Sequence, residues 1–356
     1  ILLKKEIVNN YLLEYIQVFP YELAMNPLMA LFISNVKIND LVLFELLQPE
    51  NSIVLLDPNV LNDSHSSDYL IRCLERFQQD EILQYIPQFV QALRFDGKKK
   101  LFKFLRNYAK NSELFTHYLL WNISYEKCRT NSKDDNLPNI LVKLEGNLYK
   151  DMDQDKQIGC NNEFNMIEIF DKLSQQLLPL PIDKRKKQLE IELSKIKLPE
   201  GVYVPSNPEY KIISINGKKS IPLKSHAKVP ILVHFNVYDG NKSVRKSIPF
   251  SCIFKIQDDV RMDSMVIQFM DKFLRIFNDA GISCYMKPYR VFATGQERGV
   301  IECITHAKSR HELGEEYPED LLSYFVHKYG QIGTPEFNRA QHNFIISLAP
   351  YSLLSY

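Results

Sequence analysis

The stretch Ser251-Cys252-Ile253-Phe254-Lys255-Ile256-Gln257-Asp258-Asp259-Val260-Arg261-Met262-Asp263 carries the most structural information in this chain. It begins inside an apolar, β-rich run, Ile248 to Ile256, and ends where an amphipathic helix starts. The helix is predicted from Met265, Val266, Phe269, Met270, Phe273 and Phe277, which recur at helical spacing. Asp263 sits at its start and Gly281 is placed as its stop. A lone ammonium, Lys255, therefore closes an apolar strand just ahead of Asp258, Asp259 and Asp263.

Working outward, the neighbouring sequence is also β-rich. Tyr210 to Ile215 reads as a strand, and Asn216-Gly217 is a hairpin signal. Ile231 to Val237 is a second strand, followed by a turn at Asp239-Gly240. Ile248 to Ile256 is the third, Cys284 to Ala293 the fourth and Gly299 to Ile304 the fifth. Several antiparallel strands with one inserted helix describe an α+β lobe. After Ile304 the period returns to helix over Leu321 to Tyr329 and Glu336 to Leu354.

Residues 1 to about 128 read as helix after helix. Leu70, Leu74 and Phe77 mark one apolar face, and Leu101, Phe104, Leu105, Tyr108 and Ala109 another. Ile86 to Leu93 and Leu114 to Ile123 are further helical stretches. The breaks are short: Asp57-Pro58-Asn59, Asp96-Gly97 and Lys110-Asn111-Ser112. Short breaks between helices predict antiparallel pairs, as in a solenoid. Arg129 to Asn136 reads as a linker. Asp151-Met152-Asp153-Gln154-Asp155 has oxygens at alternate positions but lacks the Gly and closing Glu of a calcium loop, so it reads as a solvated loop. Asn165 to Leu178 is helical and is stopped by Pro179 and Pro181. Lys184-Arg185-Lys186-Lys187 opens a last helix, through Leu189, Leu193 and Ile196, and reads as a solvated face that can also meet phosphate or lipid headgroups.

The chain has 356 residues, which suggests about two domains at roughly 150 residues each. Lys+Arg is 44 and Asp+Glu 43, a net charge of +1. That balance excludes a nucleic-acid binder working by bulk charge. Gly is only 12, against 21 Phe and 19 Tyr, which excludes a collagenous or largely disordered chain. The six cysteines form no CxxC pair, so a reducing compartment is expected. No apolar run reaches the ~18 residues of a membrane span. Ile1 to Phe19 carries Lys4, Lys5, Glu6 and Glu14, unlike a signal peptide.

The sequence holds no GxGxxG, GxxxxGK[ST], HExxH or GxSxG. The eight histidines are scattered; His306 and His311 lie on a polar stretch and read as surface residues. A strand Lys facing a carboxylate at the start of the next helix is how nucleotide kinases orient a phosphate-binding ammonium. The carboxylate holds the Lys, and the Lys balances phosphate charge. A structural ion pair is the alternative reading of the same residues.

Lys255 to Asp263 resembles the K-x-G-D-D-x-R-Q-D signature of phosphoinositide kinases, with Gln257 in place of Gly and Met262 in place of Gln. Pro288-Tyr289-Arg290-Val291, Ala293-Thr294 and Gly299-Val300-Ile301-Glu302-Cys303-Ile304 resemble a run of the type III alpha phosphatidylinositol 4-kinases. Val202 to Glu209, Ser225 to Pro230, Asn343-Phe344-Ile345 and Ala349-Pro350-Tyr351-Ser352-Leu353-Leu354 are similar to the same branch. Gln88 to Arg94 and Phe115 to Trp121 resemble its accessory helical (PIK) domain.

The resemblance implies a solenoid-like α-helical PIK domain over 1–128, a linker with connecting helices over 129–198, an α+β kinase N-lobe and hinge over 199–304, and the start of a helical C-lobe over 305–356. It implies ATP and Mg²⁺ as cofactors. Lys255 would meet the ATP phosphates with Asp263 as its partner, and Tyr289 and Ile253 would line the adenine pocket. Glu302, Cys303 and Ile304 would form the hinge, and Ser225 to Lys228 the phosphate-covering turn. The activity implied is transfer of the ATP γ-phosphate to the 4-hydroxyl of phosphatidylinositol, by a cytoplasmic protein held at membranes, the plasma membrane above all, by adaptor or scaffold proteins. Nucleic acid is not an expected partner.

In the family a D-R-H-x-x-N and a D-F-G follow the helix that ends in A-Y-S-L-L. Neither occurs in these 356 residues, so catalytic-loop residues and metal ligands are not among them, and the chain by itself is expected to be inactive. Pro350 departs from the family and is expected to kink its helix. Two other readings stay open: a helical scaffold with a non-catalytic kinase-like lobe, and a phosphoinositide 3-kinase.

Overall fold

The computed structural model describes residues 45–129, 136–199, 201–223, 228–304 and 307–355. The readings of Ile1 to Phe19, of most of the 129–136 linker, of Ser225 and of His306 lie outside these residues. The chain forms two compact units, Ile1–Asn161 and Asn162–Tyr356.

Among its described residues the first unit is helical. Its principal helices are α1 (Ser64–Leu74), α2 (Ile86–Ala92), α3 (Lys100–Asn111), α4 (Glu113–Arg129), α5 (Leu137–Asp151) and the first part of α6 (Gln154–Leu177). The breaks read from sequence are helix caps. Asp57 accepts from the Asn59 amide at 2.8 Å. Buried Asp96 accepts from the amides of Lys100 and Phe102 at the start of α3. Ser112 accepts from the Phe115 amide at the start of α4. Each cap satisfies helix-end amides that would otherwise lack partners. The core is apolar and aromatic, with Tyr69, Phe89 and Phe115 fully buried. Arg106 forks onto Asp151 through Nε–Oδ2 at 2.5 Å and Nη2–Oδ1 at 2.8 Å, tying α3 to the end of α5.

Helix α5 has no counterpart in the sequence reading, and α6 starts eleven residues earlier than Asn165. The α5 signal was a narrow stripe, Leu137, Leu141, Leu144 and Leu148, all buried, inside otherwise polar sequence. The Asp151–Asp155 run is the junction of these helices. Asp151 pairs with Arg106, and Asp153 accepts from the Lys156 amide at 2.8 Å. No group of three or more His, Cys, Asp or Glu able to hold a metal occurs among the described residues.

The second unit centres on an antiparallel sheet in the order β1-β2-β4-β5-β7-β6, with β3 beside β4. The strands are β1 (Tyr203–Val204), β2 (Asn207–Ile215), β3 (Ile221–Pro222), β4 (Ile231–Asp239), β5 (Ile248–Ile256), β6 (Val291–Gly295) and β7 (Arg298–Glu302). Along β5, Phe250, Cys252, Phe254 and Ile256 are buried, while Ser251, Ile253 and Lys255 alternate onto the other face. The buried face packs on α6. Phe170 lies 4.3 Å from Phe254 and 6.1 Å from Phe235 between ring centroids. Ser174 donates to the Val229 carbonyl at 2.6 Å, and Asp171 pairs with Arg298 of β7.

Two strand readings change. Asn216-Gly217 does not close a hairpin onto its own strand: β2 and β3 both pair with β4, because the turn is held by the Asn216 amide donating to the His234 carbonyl at 2.7 Å. The fourth strand begins only at Val291. Helix α7 (Ile182–Lys195) follows Pro181 as read, with Leu189 and Leu193 buried. Helix α8 (Arg261–Asp279) stops at Gly281, whose φ of +68° lets the Ile282 amide turn back to the Phe277 carbonyl at 2.8 Å. Helices α9 (Arg310–Glu316), α10 (Leu321–Tyr329) and α11 (Pro335–Ser355) complete the unit. The sequence reading lacks α9. Its Ser309/Glu312 capping box is the local signal. Pro350 lies buried within α11, which continues past it.

Candidate functional site

Strand β5 delivers Lys255 and the chain then bends sharply into α8. The bend places Gln257 at φ +57°, in the left-handed region. That is the position where the kinase signature has Gly, the residue with no Cβ to clash there. The Asp258 amide donates to the Glu297 carbonyl at 2.7 Å, so the bend is fixed from the β6–β7 turn. Gly299 pairs with Lys255 across β5 and β7. A Cβ on it would come within 2.2 Å of Val260 and 2.7 Å of the Phe292 carbonyl oxygen, so Gly lets the bend close against the sheet.

The Lys255 ammonium stands 3.3 Å from Asp258 Oδ2 and 3.9 Å from Asp263 Oδ1. Asp258 also receives Lys228, at 3.4 Å on Oδ1. The nearer carboxylate is thus Asp258, while Asp263 takes the longer contact. Burial works to raise the Asp258 carboxyl, but Lys255 and Lys228 outweigh it and hold the carboxyl below its ordinary value. Sequence reasoning quoted Asp258 without giving it a role; its i+3 spacing from Lys255 is the signal. Asp259 turns away and caps α8, accepting from the Arg261 amide at 3.1 Å and from its guanidinium.

Ile253 lies two residues before Lys255 on the same face and pairs with Ile301. Tyr289 is half-buried. Burial and Asp263 push its phenol up while Lys255 opposes them, so the ring belongs to the same cluster. Tyr351 of α11 accepts from the Lys287 amide at 3.1 Å and ties that helix to the Tyr289 segment.

Glu302 ends β7 opposite Cys252, and the Cys303 amide donates to the Ser251 carbonyl at 2.9 Å. Burial raises the Glu302 carboxyl, and burial pushes the Cys303 thiol up to about 11. Ile304 is exposed and lies outside any helix or strand. Its backbone N–H and C=O have no hydrogen-bond partner among the described residues. Ser251 and Lys255 are four residues apart on one strand, about 13 Å at the strand rise. One face therefore presents the Ile304 backbone at one end, Ile253, Ile301 and Tyr289 between, and a Lys–Asp cluster at the other. That order suits a base, an apolar base pocket and a polyphosphate. Of the residues singled out from sequence, Lys228, Ile253, Lys255, Asp263 and Tyr289 lie along this face and Cys303 and Ile304 continue its edge, whereas Glu302, opposite Cys252, turns its side chain to the buried face. Elsewhere, a groove of about 460 Å³ between α1 and α3, lined by Asp68, Lys100 and Tyr108 among others, contains none of them.

Residues 41–157 match the accessory (PIK) domain of the phosphoinositide 3-kinase family, and residues 249–356 match the phosphatidylinositol 3- and 4-kinase domain. The chain belongs to the phosphatidylinositol 3- and 4-kinase family. It is 32% identical over 294 residues to phosphatidylinositol 4-kinase alpha 1 of Arabidopsis thaliana, covering 81% of this chain and 14% of that protein. Against phosphatidylinositol 4-kinase STT4 of Saccharomyces cerevisiae it is 33% identical over 322 residues, covering 86% of this chain and 17% of the relative. Phosphatidylinositol 3-kinase 1 of Dictyostelium discoideum is 23% identical over 321 residues, covering 87% of this chain and 20% of the relative. The chain thus spans a fifth or less of the length of these curated relatives. Among the described residues no helix is long and apolar enough to cross a membrane.

Proposed function

We propose that the chain supplies the accessory helices and nucleotide-binding lobe of a lipid kinase that moves the ATP γ-phosphate to the 4-hydroxyl of phosphatidylinositol. The observation that carries this reading is the difference in similarity: 32% and 33% identity to the named 4-kinases against 23% to the named 3-kinase, over comparable lengths. Lys255 and Lys228 balance phosphate charge once the polyphosphate displaces their contacts with Asp258. Asp263 keeps the Lys255 side chain aimed. Ile253, Ile301 and Tyr289 enclose the base, and Ile304 hydrogen-bonds its edge. Ser225, ahead of Lys228, covers the phosphates. These residues work by positioning and electrostatic stabilisation, with no covalent intermediate on the protein.

Mg²⁺ is the charge-balancing ion in this reading, with its protein ligands in the family's D-F-G segment. Residence at the cytoplasmic face of a membrane, the plasma membrane in this reading, is supplied by adaptor or scaffold proteins. The test is phosphorylation of phosphatidylinositol with labelled ATP, followed by positional analysis of the product. A chain that continues past Tyr356 into D-R-H-x-x-N and D-F-G segments is expected to yield the 4-phosphate, and the 356 residues alone to yield none. A 3-phosphate product, or no product from the longer chain, overturns the reading.

A further inference from the structure

The basic run Lys184 to Lys187 does more than face solvent. Arg185 is buried and donates to the Leu178 and Leu180 carbonyls, each at 2.9 Å. Lys186 donates to the Lys218 carbonyl at 2.7 Å and to the Ser220 carbonyl. These bonds lash the first turns of α7 to the turn between β2 and β3. A Cβ on Gly217 would lie 3.6 Å from the Glu190 carbonyl oxygen and from Leu193 Cβ, so the turn runs beside the same helix. The result gathers Lys184 and Lys187 with Lys218 and Lys219, two pairs of exposed lysines from segments thirty residues apart. None of these four ammoniums has an ion-pair or hydrogen-bond partner among the described residues. Lysines in the first turns of a helix oppose its dipole, so helix stability does not account for Lys184 and Lys187.

Two more features favour a lipid surface over a purely polar anion. Ile182, beside Lys184, is 43% exposed, and Ile221, two residues after Lys219, is 37% exposed. Exposed apolar side chains among lysines match the headgroup–acyl boundary of a bilayer. The cluster also borders the face that carries Lys255. His234 pairs with Ser251 across β4 and β5, on the side where Ile253 and Lys255 point. Burial, then Lys219 and Lys186, push the His234 imidazole down.

We infer that the lysine cluster formed by the start of α7 and the 216–220 turn is a docking surface for anionic headgroups of a bilayer. This rests on the lipid-kinase reading, because it brings the nucleotide face to the membrane that holds the substrate. Lysines near an anionic surface are attracted only within a Debye length of it, so the contact is weak, reversible and salt-sensitive.

The experiment is flotation of the 356-residue chain with phosphatidylcholine vesicles, with and without phosphatidylserine, at low salt and again at about 0.15 M. Nucleotide binding is measured in parallel. The wild-type chain is expected to float with the phosphatidylserine vesicles only, and less so at the higher salt. K184E/K187E/K218E/K219E is expected to lower that partitioning by at least on the order of tenfold, with unchanged thermal unfolding and ATP affinity. Lys186 is left in place because it holds carbonyls. Equal flotation of variant and wild type, equal flotation with neutral vesicles, or release by millimolar inorganic phosphate at constant ionic strength overturns the docking surface. Failure of the wild-type chain to float with phosphatidylserine vesicles, with its ATP binding intact, removes this inference and leaves the kinase reading standing. Failure to bind ATP removes the kinase reading without touching the vesicle result.

Discussion

Lys255 and Asp258 form the closest ion pair of the candidate site, at 3.3 Å, and Asp258 holds Lys228 on its other oxygen at 3.4 Å. A carboxylate between two phosphate-facing ammoniums repels an incoming polyphosphate. Asp258→Asn is therefore expected to tighten ATP binding severalfold by removing that repulsion, without a matching gain in turnover, because Lys255 loses a partner that orients it. Isothermal titration alongside steady-state kinetics checks this; weaker ATP binding in the variant would contradict it.

The same carboxylate makes a signed pH prediction. Its folded value is held below the ordinary 3.8, so its contribution to stability is present above that value and is lost as pH falls through the lowered folded value. Wild-type and Asp258→Asn unfolding temperatures are expected to differ at pH 6, to begin converging as pH falls past the ordinary 3.8, and to meet once it is below the lowered folded value. A difference that persists at the acid end would mean that the substitution acts through packing.

Gln257 occupies a left-handed position at φ +57°. A residue with a Cβ there costs roughly 1–2 kcal/mol, partly offset in a glycine variant by the extra freedom of its unfolded chain. Gln257→Gly is expected to raise unfolding stability by about 0.5–1 kcal/mol and to leave nucleotide affinity unchanged. Urea unfolding at fixed m-value reads it directly.

The Lys255 strand, the α8 helix and the α7 start were legible because each combines a clear period with a clear stop: Ile248 to Ile256 before the bend, Gly281 after α8, Pro181 before α7. Helix α5 was not, since four leucines in a polar segment make a stripe too thin to stand out. The fourth strand was overextended because Tyr285, Tyr289 and Val291 look β-forming, whereas ladder pairing begins only at Val291. Asp258 escaped because sequence gives three neighbouring carboxylates and no means of choosing; the left-handed bend at Gln257 turns Asp258 toward Lys255 and leaves Asp259 as a cap.

Arg298 of β7 pairs with Asp171, which is nearly buried on α6. Burial raises the Asp171 carboxyl, and Arg298 pulls against it. Arg298→Met strands a buried carboxylate, at an expected loss of about 3–5 kcal/mol near neutral pH. With a folded value above the unfolded one, that penalty is absent at low pH and grows as pH rises past the ordinary 3.8. The gap between variant and wild type is therefore expected to narrow on acidification from pH 7 to pH 4. A pH-independent gap would mean that lost packing dominates.

Lys255→Met tests the centre of the functional reading. The side chain is 24% exposed and faces Asp258 and Asp263, so methionine fits the space while deleting the charge. Folding is expected to be retained, and the two carboxylates, about two-fifths exposed, keep access to solvent. In the bound state the loss leaves phosphate repulsion uncompensated in a partly dehydrated cleft, where a charge-assisted contact contributes about 1.5–3 kcal/mol. ATP affinity of the chain should fall by roughly ten- to a hundredfold. The transition state spreads charge over the transferring group and needs the ammonium more. In a protein that continues through the D-R-H-x-x-N and D-F-G segments, phosphatidylinositol turnover should fall by at least about a hundredfold, equivalent to ~2.7 kcal/mol. Asp263→Asn should be milder, because Lys255 keeps Asp258. ATP titration and labelled-phosphate transfer, compared at matched thermal stability, measure both effects. Near-wild-type values for Lys255→Met would reduce the strand lysine to a structural ion pair and remove the basis for placing the phosphates beside it.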